Sequence, residues 1–173
     1  MDLLLFTIED DHNEFNSEER LTLHNVFELL AFDLDPNLFK YTPKPSKQSF
    51  KELLDLYKQT EPIDENWTAQ VNTLSSKLDQ LITSVQTYIQ QEDMSLFNKV
   101  YQYILYRQID MLSDYSLESI LAYAKDGTDY ILIASALEGQ PLKQIARWSQ
   151  QIEYDEDNVA LLLQHYEAQL IIE

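Results

Sequence analysis

Residues 67–88 read WTAQVNTLSSKLDQLITSVQTY, and their apolar positions follow a heptad pattern. The side chains at positions 67, 71, 74, 78, 81, 85 and 88 are separated alternately by four and three residues, like the core positions of a coiled coil. Ile82 and Ile89 widen this apolar stripe. We refer to residues 67–88 as the heptad stretch, and we predict one long helix over about 64–91, because Pro62 and Asp64 are typical helix-start residues.

Two structures fit the heptad stretch. One is a coiled coil that binds a partner helix, and the other is the central helix of a bundle, which packs by the same knobs-into-holes arrangement. A dedicated coiled coil usually sustains more heptads and carries charged residues beside its apolar seam. Here the other faces carry mostly Ser, Thr, Gln and Asn. The pattern therefore favours a central helix in an all-α protein.

Capping residues and apolar spacing predict further helices on both sides of the heptad stretch. They cover about 17–34, 47–59, 94–112, 116–127, 129–139 and 141–152, and a last helix follows residues 154–157. Gly127 and Gly139 are predicted to end the helices that precede them. Residues 1–8 and 130–134 also fit short strands, and we assign 130–134 to a helix. We expect a compact all-α bundle of about eight helices, forming one domain over residues 1–173 with a Pro-rich connection at 36–46.

The charge of the chain is strongly negative. Asp and Glu number 30 against 12 Lys and Arg, which gives a formal net charge of −18 on 173 residues. A small domain needs a net charge of only about 2–8 in magnitude for solubility. The one basic segment, residues 40–60, has five lysines and two acids, and we predict that it packs beside residues 1–39, which hold ten acids and one base. A field of this sign repels nucleic acid and anionic membranes and attracts basic proteins.

Several classes of protein are disfavoured by composition. The chain has no Cys, so disulfides and thiolate metal sites are impossible, and a reducing compartment is suitable. The short apolar run at residues 3–8 follows an acid rather than the basic residues of a signal peptide, so we expect a cytoplasmic protein. Only two glycines occur, which argues against nucleotide-binding loops and sharp nucleophile turns. We expect no enzyme activity and no cofactor.

Candidate metal and acid–base sites are weak. His12 lies among the acids of residues 9–14, but one histidine with loop carboxylates is short of the ligand set that a zinc site needs. His24 is placed to pair with Glu28 on a helix surface, and His165 is expected at the rim of the last helix. The paired acids at 10–11, 33–35 and 155–157 fall at predicted helix ends and loops, where water keeps both carboxylates ionised.

Tyrosines near acids are the better candidates for binding. Tyrosine beside carboxylates suits recognition of Arg and Lys, because it combines charge attraction with cation–π contact and a rigid anchor. The alternative is that these are ordinary half-buried tyrosines of a helical protein. The predicted partner-binding residues are Tyr103, Tyr106, Asp110, Asp114, Tyr115, Asp129, Tyr130, Tyr154, Asp155 and Asp157.

The sequence favours a function in protein binding. The leading hypothesis is an acidic inhibitor of a basic protein, such as an immunity protein or antitoxin that occupies the phosphate-binding site of a nuclease. A DNA mimic that blocks several DNA-binding proteins is the second hypothesis. A helical adaptor that binds through an exposed apolar groove at the heptad stretch is the third. The sequence leaves the identity of the partner and the oligomeric state open.

Overall fold

The computed structural model describes residues 36–172, and this range contains helices and no β-strand. The predictions for residues 1–35, including His12, His24 and the helix over 17–34, lie outside the described residues. The α-helices are α1 (Lys47–Tyr57), α2 (Glu65–Ser76), α3 (Leu78–Gln91), α4 (Ser95–Arg107), α5 (Leu117–Glu138), α6 (Pro141–Trp148) and α7 (Glu156–Ile172). Short 3-10 helices span Pro36–Phe39 and Ile109–Ser113, and a π-helix spans Ser149–Glu153. The all-α prediction is confirmed, with seven α-helices in the described range where the sequence predicted about eight for the whole chain.

The heptad stretch forms part of the core, but it is not one helix. Five of its seven apolar positions are at most 2 % exposed, and the other two are partly buried. The helix is interrupted at Lys77, where φ is −120° and ψ is 30°, so the predicted continuous helix over 64–91 is wrong. The hydroxyl of Ser76 donates to the carbonyl of Thr73 at 2.8 Å, a local bond that competes with helix continuation.

The long central helix is α5, where the sequence predicted two shorter helices. It has 22 residues and contacts α1, α3, α4, α6 and α7. Gly127 lies in its middle and does not end it, and Trp148 of α6 occupies the space beside the Gly127 backbone. A Cβ at Gly127 would lie 2.5 Å from Cζ2 of Trp148. Residues 130–134 are helical as predicted, and Gly139 ends α5 with a φ of 74°.

Buried amides fix the connection between α1 and α2. Gln151, which is 1 % exposed, donates to Thr60 Oγ1 at 3.0 Å and to the carbonyl of Glu61 at 2.8 Å. Its own Oε1 accepts a hydrogen bond from the backbone of Ile63 at 2.6 Å. Asn158 of α7 binds Glu61 from the other side, through Oδ1 at 2.9 Å and Nδ2 at 3.0 Å. The π-helix and the start of α7 thereby hold residues 60–63 in place.

Removal of the cap of α2 is expected to cost about 1 kcal/mol of stability, the usual value for an N-cap carboxylate. The Asp64 side chain accepts a hydrogen bond from the backbone of Trp67 at 2.8 Å. Asp64→Ala should therefore lower the urea midpoint measured by circular dichroism. Asn66→Ala, an exposed change in the same turn, is the control and should shift stability by less than about 0.5 kcal/mol. Equal effects of the two changes would contradict the role of the cap.

Candidate functional site

Three of the ten predicted partner-binding residues are buried. Tyr130 is 1 % exposed, its ring centroid lies 4.9 Å from that of Trp67, and its hydroxyl donates to Gln70 at 2.7 Å. Tyr103 is 8 % exposed and Asp129 is 6 % exposed. The prediction that these three side chains lie on a surface open to a partner is therefore corrected. Tyr130 and Asp129 belong to α5, whose neighbours cover it on several sides, so that nearness to acids in sequence does not bring them to the surface.

The other seven predicted residues reach the surface to different extents. Tyr106 is 39 % exposed and Tyr154 is 45 % exposed. Tyr115 and Asp155 are partly exposed. The remaining three residues, Asp110, Asp114 and Asp157, are exposed.

Arg107, at the end of α4, contacts two residues that lie just before α7. Its Nη1 donates to the hydroxyl of Tyr154 at 2.9 Å, and its guanidinium carbon lies 4.8 Å from the centroid of the Tyr154 ring. Its Nε lies 3.3 Å from Oε1 of Glu153. The end of α4 is therefore held against the turn that leads into α7. These contacts bring Asp110, three residues after Arg107, to the same end of the molecule as Asp155, which follows Tyr154.

Glu153 is the buried anchor of this end. Its carboxylate accepts hydrogen bonds from Gln108 Nε2 at 2.9 Å and from the hydroxyl of Tyr123, while its side chain has no exposed area. Burial, and then the neighbouring Glu153 carboxylate, raise the pKa of Tyr123 well above its usual value. The tyrosine thus stays neutral, and its hydroxyl donates a hydrogen bond to Glu153. Sequence reasoning missed this role, because Glu153 adjoins the acids of residues 155–157 and the π-helix turns it inward.

We call six carboxylates in the segments just after Arg107 and just after Tyr154 the acidic face, namely Asp110, Asp114, Glu118, Asp155, Glu156 and Asp157. Asp110 and Asp114 lie in and after the 3-10 helix, Glu118 lies in the first turn of α5, and the other three are at the start of α7. Within residues 36–172 none of the six forms an ion pair. Arg107, the cation at this end, is engaged by Glu153 and Tyr154.

Part of the acidic face has a local structural role. Glu118, Glu156 and Asp157 lie in first turns of helices, where the helix dipole favours negative charge. Asp155 accepts a hydrogen bond from the backbone of Asn158 at 3.0 Å. Asp110 also lies in the first turn of a 3-10 helix, whereas Asp114 follows that helix. Capping and dipole effects account for the presence of several acids, but not for the lack of basic partners among them.

Some of the acids elsewhere have lysine partners. Lys47 lies 2.7 Å from Asp79, and Lys51 lies 2.9 Å from Asp55. Lys58 also approaches Asp55, at 3.9 Å. Three of the five lysines of the basic segment therefore lie against acids of α1 and α3 in the described part of the chain. The predicted packing of this segment beside residues 1–39 involves residues outside that part.

A surface pocket of about 280 Å³ lies between the end of α1 and α2. It is lined by Tyr57, Lys58, Thr60, Pro62, Trp67, Thr68, Val71 and Asn72. The two aromatic side chains at its floor are at most 2 % exposed, so they contribute little area to a ligand. Five of the seven apolar positions of the heptad stretch, where an adaptor would need an apolar groove, are buried in the core.

Within residues 36–172, no group of three or more His, Asp or Glu side chains is arranged to hold a metal ion. In the same range, no helix has both the length and the apolar character that crossing a bilayer requires. No protein-family model, curated protein or solved structure matches the chain.

Proposed function

We propose that this chain is a non-catalytic binding protein that covers a basic protein with its acidic face, in the manner of an immunity protein or antitoxin. The observation that supports the proposal is that the six carboxylates of the acidic face, in the segments that follow Arg107 and Tyr154, have no cationic partner in the described chain. Unpaired charges of one sign attract an oppositely charged surface over distances of about a Debye length, roughly 8–10 Å. A cytoplasmic location, which the composition favours, is part of the proposal.

The proposed mechanism is competition for a phosphate-binding surface. Carboxylates of the acidic face would occupy positions where a nuclease binds the phosphates of its substrate, and charge attraction would speed the encounter. Tyr106 and Tyr154, both more than a third exposed, are the aromatic anchors within reach of this surface. Tyrosine is enriched among the residues that dominate binding energy at protein interfaces. Arg107 supports the face by fixing Tyr154.

Neutralising three carboxylates of the face should slow association with the partner by about tenfold or more, since steering depends on the local charge. The variant is Asp110→Asn with Asp114→Asn and Asp157→Asn. Its control carries Glu65→Gln, Asp79→Asn and Glu92→Gln, which remove the same charge from exposed sites elsewhere. Wild type and both variants would serve as baits in native lysate at low and high salt. Association rates with the purified captured protein would then be measured by surface plasmon resonance.

The outcomes separate the candidate functions. An inhibitor of one basic protein should capture a single dominant basic species, and only the face variant should lose speed. A DNA mimic, which the same face also suits, should capture several DNA-binding proteins. The proposal fails if the captured proteins are not basic, if the rate does not fall with salt, or if the two variants associate equally fast.

A further inference from the structure

Arg107 places a positive charge beside the acidic face. It directly precedes the segment that carries Asp110, and it contacts Tyr154, which directly precedes Asp155. The Arg107 side chain keeps 24 % of its area exposed, and Tyr154 is 45 % exposed. A partner that covers the acidic face and uses Tyr154 as an anchor therefore also covers Arg107.

The guanidinium group of Arg107 has more donors than the described chain has acceptors for it. A guanidinium carries about five N–H groups, all of them donors, and it stays charged at any working pH. Nη1 of Arg107 donates to the hydroxyl of Tyr154 at 2.9 Å, and Nε lies 3.3 Å from Oε1 of Glu153. Within residues 36–172, no hydrogen bond or ion pair involves Nη2. The N–H groups of Nη2 are therefore left to water in the free protein.

A partner that covers these N–H groups without an acceptor removes their water and replaces it with nothing, which is costly for a charged group. We propose, on the basis of the function proposed above, that Arg107 selects a basic partner that carries a carboxylate opposite it. A carboxylate fits this position because its two oxygens accept from neighbouring N–H groups of one guanidinium. The acidic face thus attracts basic proteins in general, and Arg107 discriminates against those that present only lysines and arginines to it.

The charge of Arg107 and its proposed contact have opposite effects on the complex. Arg107→Gln makes the surface more negative, so the charge change alone should leave association with a basic partner unchanged or make it faster. Loss of the contact leaves the partner's carboxylate covered without its cation, and such a loss raises the dissociation rate. We therefore expect the variant to dissociate about tenfold faster or more, the usual size for a hydrogen bond to a charged group, and to associate no more slowly than wild type.

Surface plasmon resonance of the full chain with the purified captured basic protein measures both rates. Lys143→Gln is the matched control, because Lys143 is an exposed cation of α6 that has no ion pair in the described residues. It removes the same charge and should change the dissociation rate by less than about twofold. Arg107→Gln also loses the contact with Glu153, so the rates are measured at a temperature at which urea unfolding shows that each variant is folded.

A double-mutant cycle separates this contact from the support that Arg107 gives to Tyr154. Each acid of the partner is replaced in turn by Asn or Gln, and its dissociation from wild type and from Arg107→Gln is compared. One partner acid should matter about tenfold with wild type and little with Arg107→Gln, since residues in contact are coupled. Additive effects for every acid, or unchanged dissociation of Arg107→Gln, overturn this inference alone. Failure to capture any basic protein overturns the proposed function and this inference with it.

Discussion

Glu153→Ala is expected to lower the free energy of unfolding by about 3–5 kcal/mol, because it leaves two buried hydrogen-bond donors without an acceptor and the partly exposed Arg107 without its carboxylate. The change would leave Arg107 without its buried carboxylate and would remove the acceptor of both Gln108 and Tyr123. Tyr123 is 1 % exposed, so its hydroxyl could not turn to water. Since a domain of this size is typically stable by only about 5–15 kcal/mol, a large part of the total stability would be lost.

Urea unfolding followed by circular dichroism measures this effect. Glu153→Gln keeps Oε1 as an acceptor and removes only the charge, so it should cost less than the alanine variant. Glu92→Ala is the matched control, because Glu92 is an exposed glutamate at the end of α3, and it should change stability by less than about 0.5 kcal/mol. A loss below about 1 kcal/mol for Glu153→Ala would show that the contacts of Glu153 are replaced by water.

Helix ends were the most predictable part of the fold, because their signals are local. Ser116 accepts a hydrogen bond from the backbone of Ser119 and starts α5 where its residue type predicted. Pro141 occupies the start of α6, where its missing N–H costs nothing. Gly139 ends α5 in a backbone conformation that other residues rarely adopt. Each of these positions is decided by one or two neighbours along the chain.

Helix continuity was less predictable, because it depends on distant residues. The heptad pattern correctly predicted that Leu74 and Leu81 face the core, since both have no exposed area. It did not predict the break at Lys77. A stripe of apolar residues shows which side chains face the core, but it does not show whether the helical backbone is continuous between them. The opposite error occurred at Gly127, which lies inside a helix that the sequence predicted it would end; the side chain of Trp148 fills the space beside it, so the position has no room for a Cβ.

The candidate site also has residues that the sequence pattern placed correctly and residues that it misplaced or missed. The tyrosine and aspartate pattern identified Tyr154 and Asp157 as surface residues, and both are exposed. It misplaced Tyr130, because a helix that is covered on several sides buries polar as well as apolar positions. It missed the inward turn of Glu153, because the π-helix at Ser149–Glu153 changes the direction in which side chains point between α6 and α7. No regular helical spacing predicts such a shift.

Gly127→Val is expected to cost about 3 kcal/mol or more, because it places new carbons where Trp148 already lies. The first of these, Cβ, would be 2.5 Å from Trp148 Cζ2. Trp148 has no exposed area, and its Nε1 donates to the hydroxyl of Tyr57 at 2.9 Å, so its ring cannot move without breaking that bond. Overpacking of a core typically costs about 1–3 kcal/mol, and the higher helix propensity of valine returns less than about 0.5 kcal/mol.

A double-mutant cycle with Trp148→Leu tests whether the steric conflict is the cause. Trp148→Leu alone should destabilise the protein, because it leaves a cavity and removes the bond to Tyr57. The space that it opens lies against Gly127, so Gly127→Val should cost at least about 1 kcal/mol less in the leucine background than in wild type, as expected for residues in contact. Additive losses would mean that the valine acts on the α5 backbone itself. In that case the close approach of Trp148 would not explain the cost of Gly127→Val.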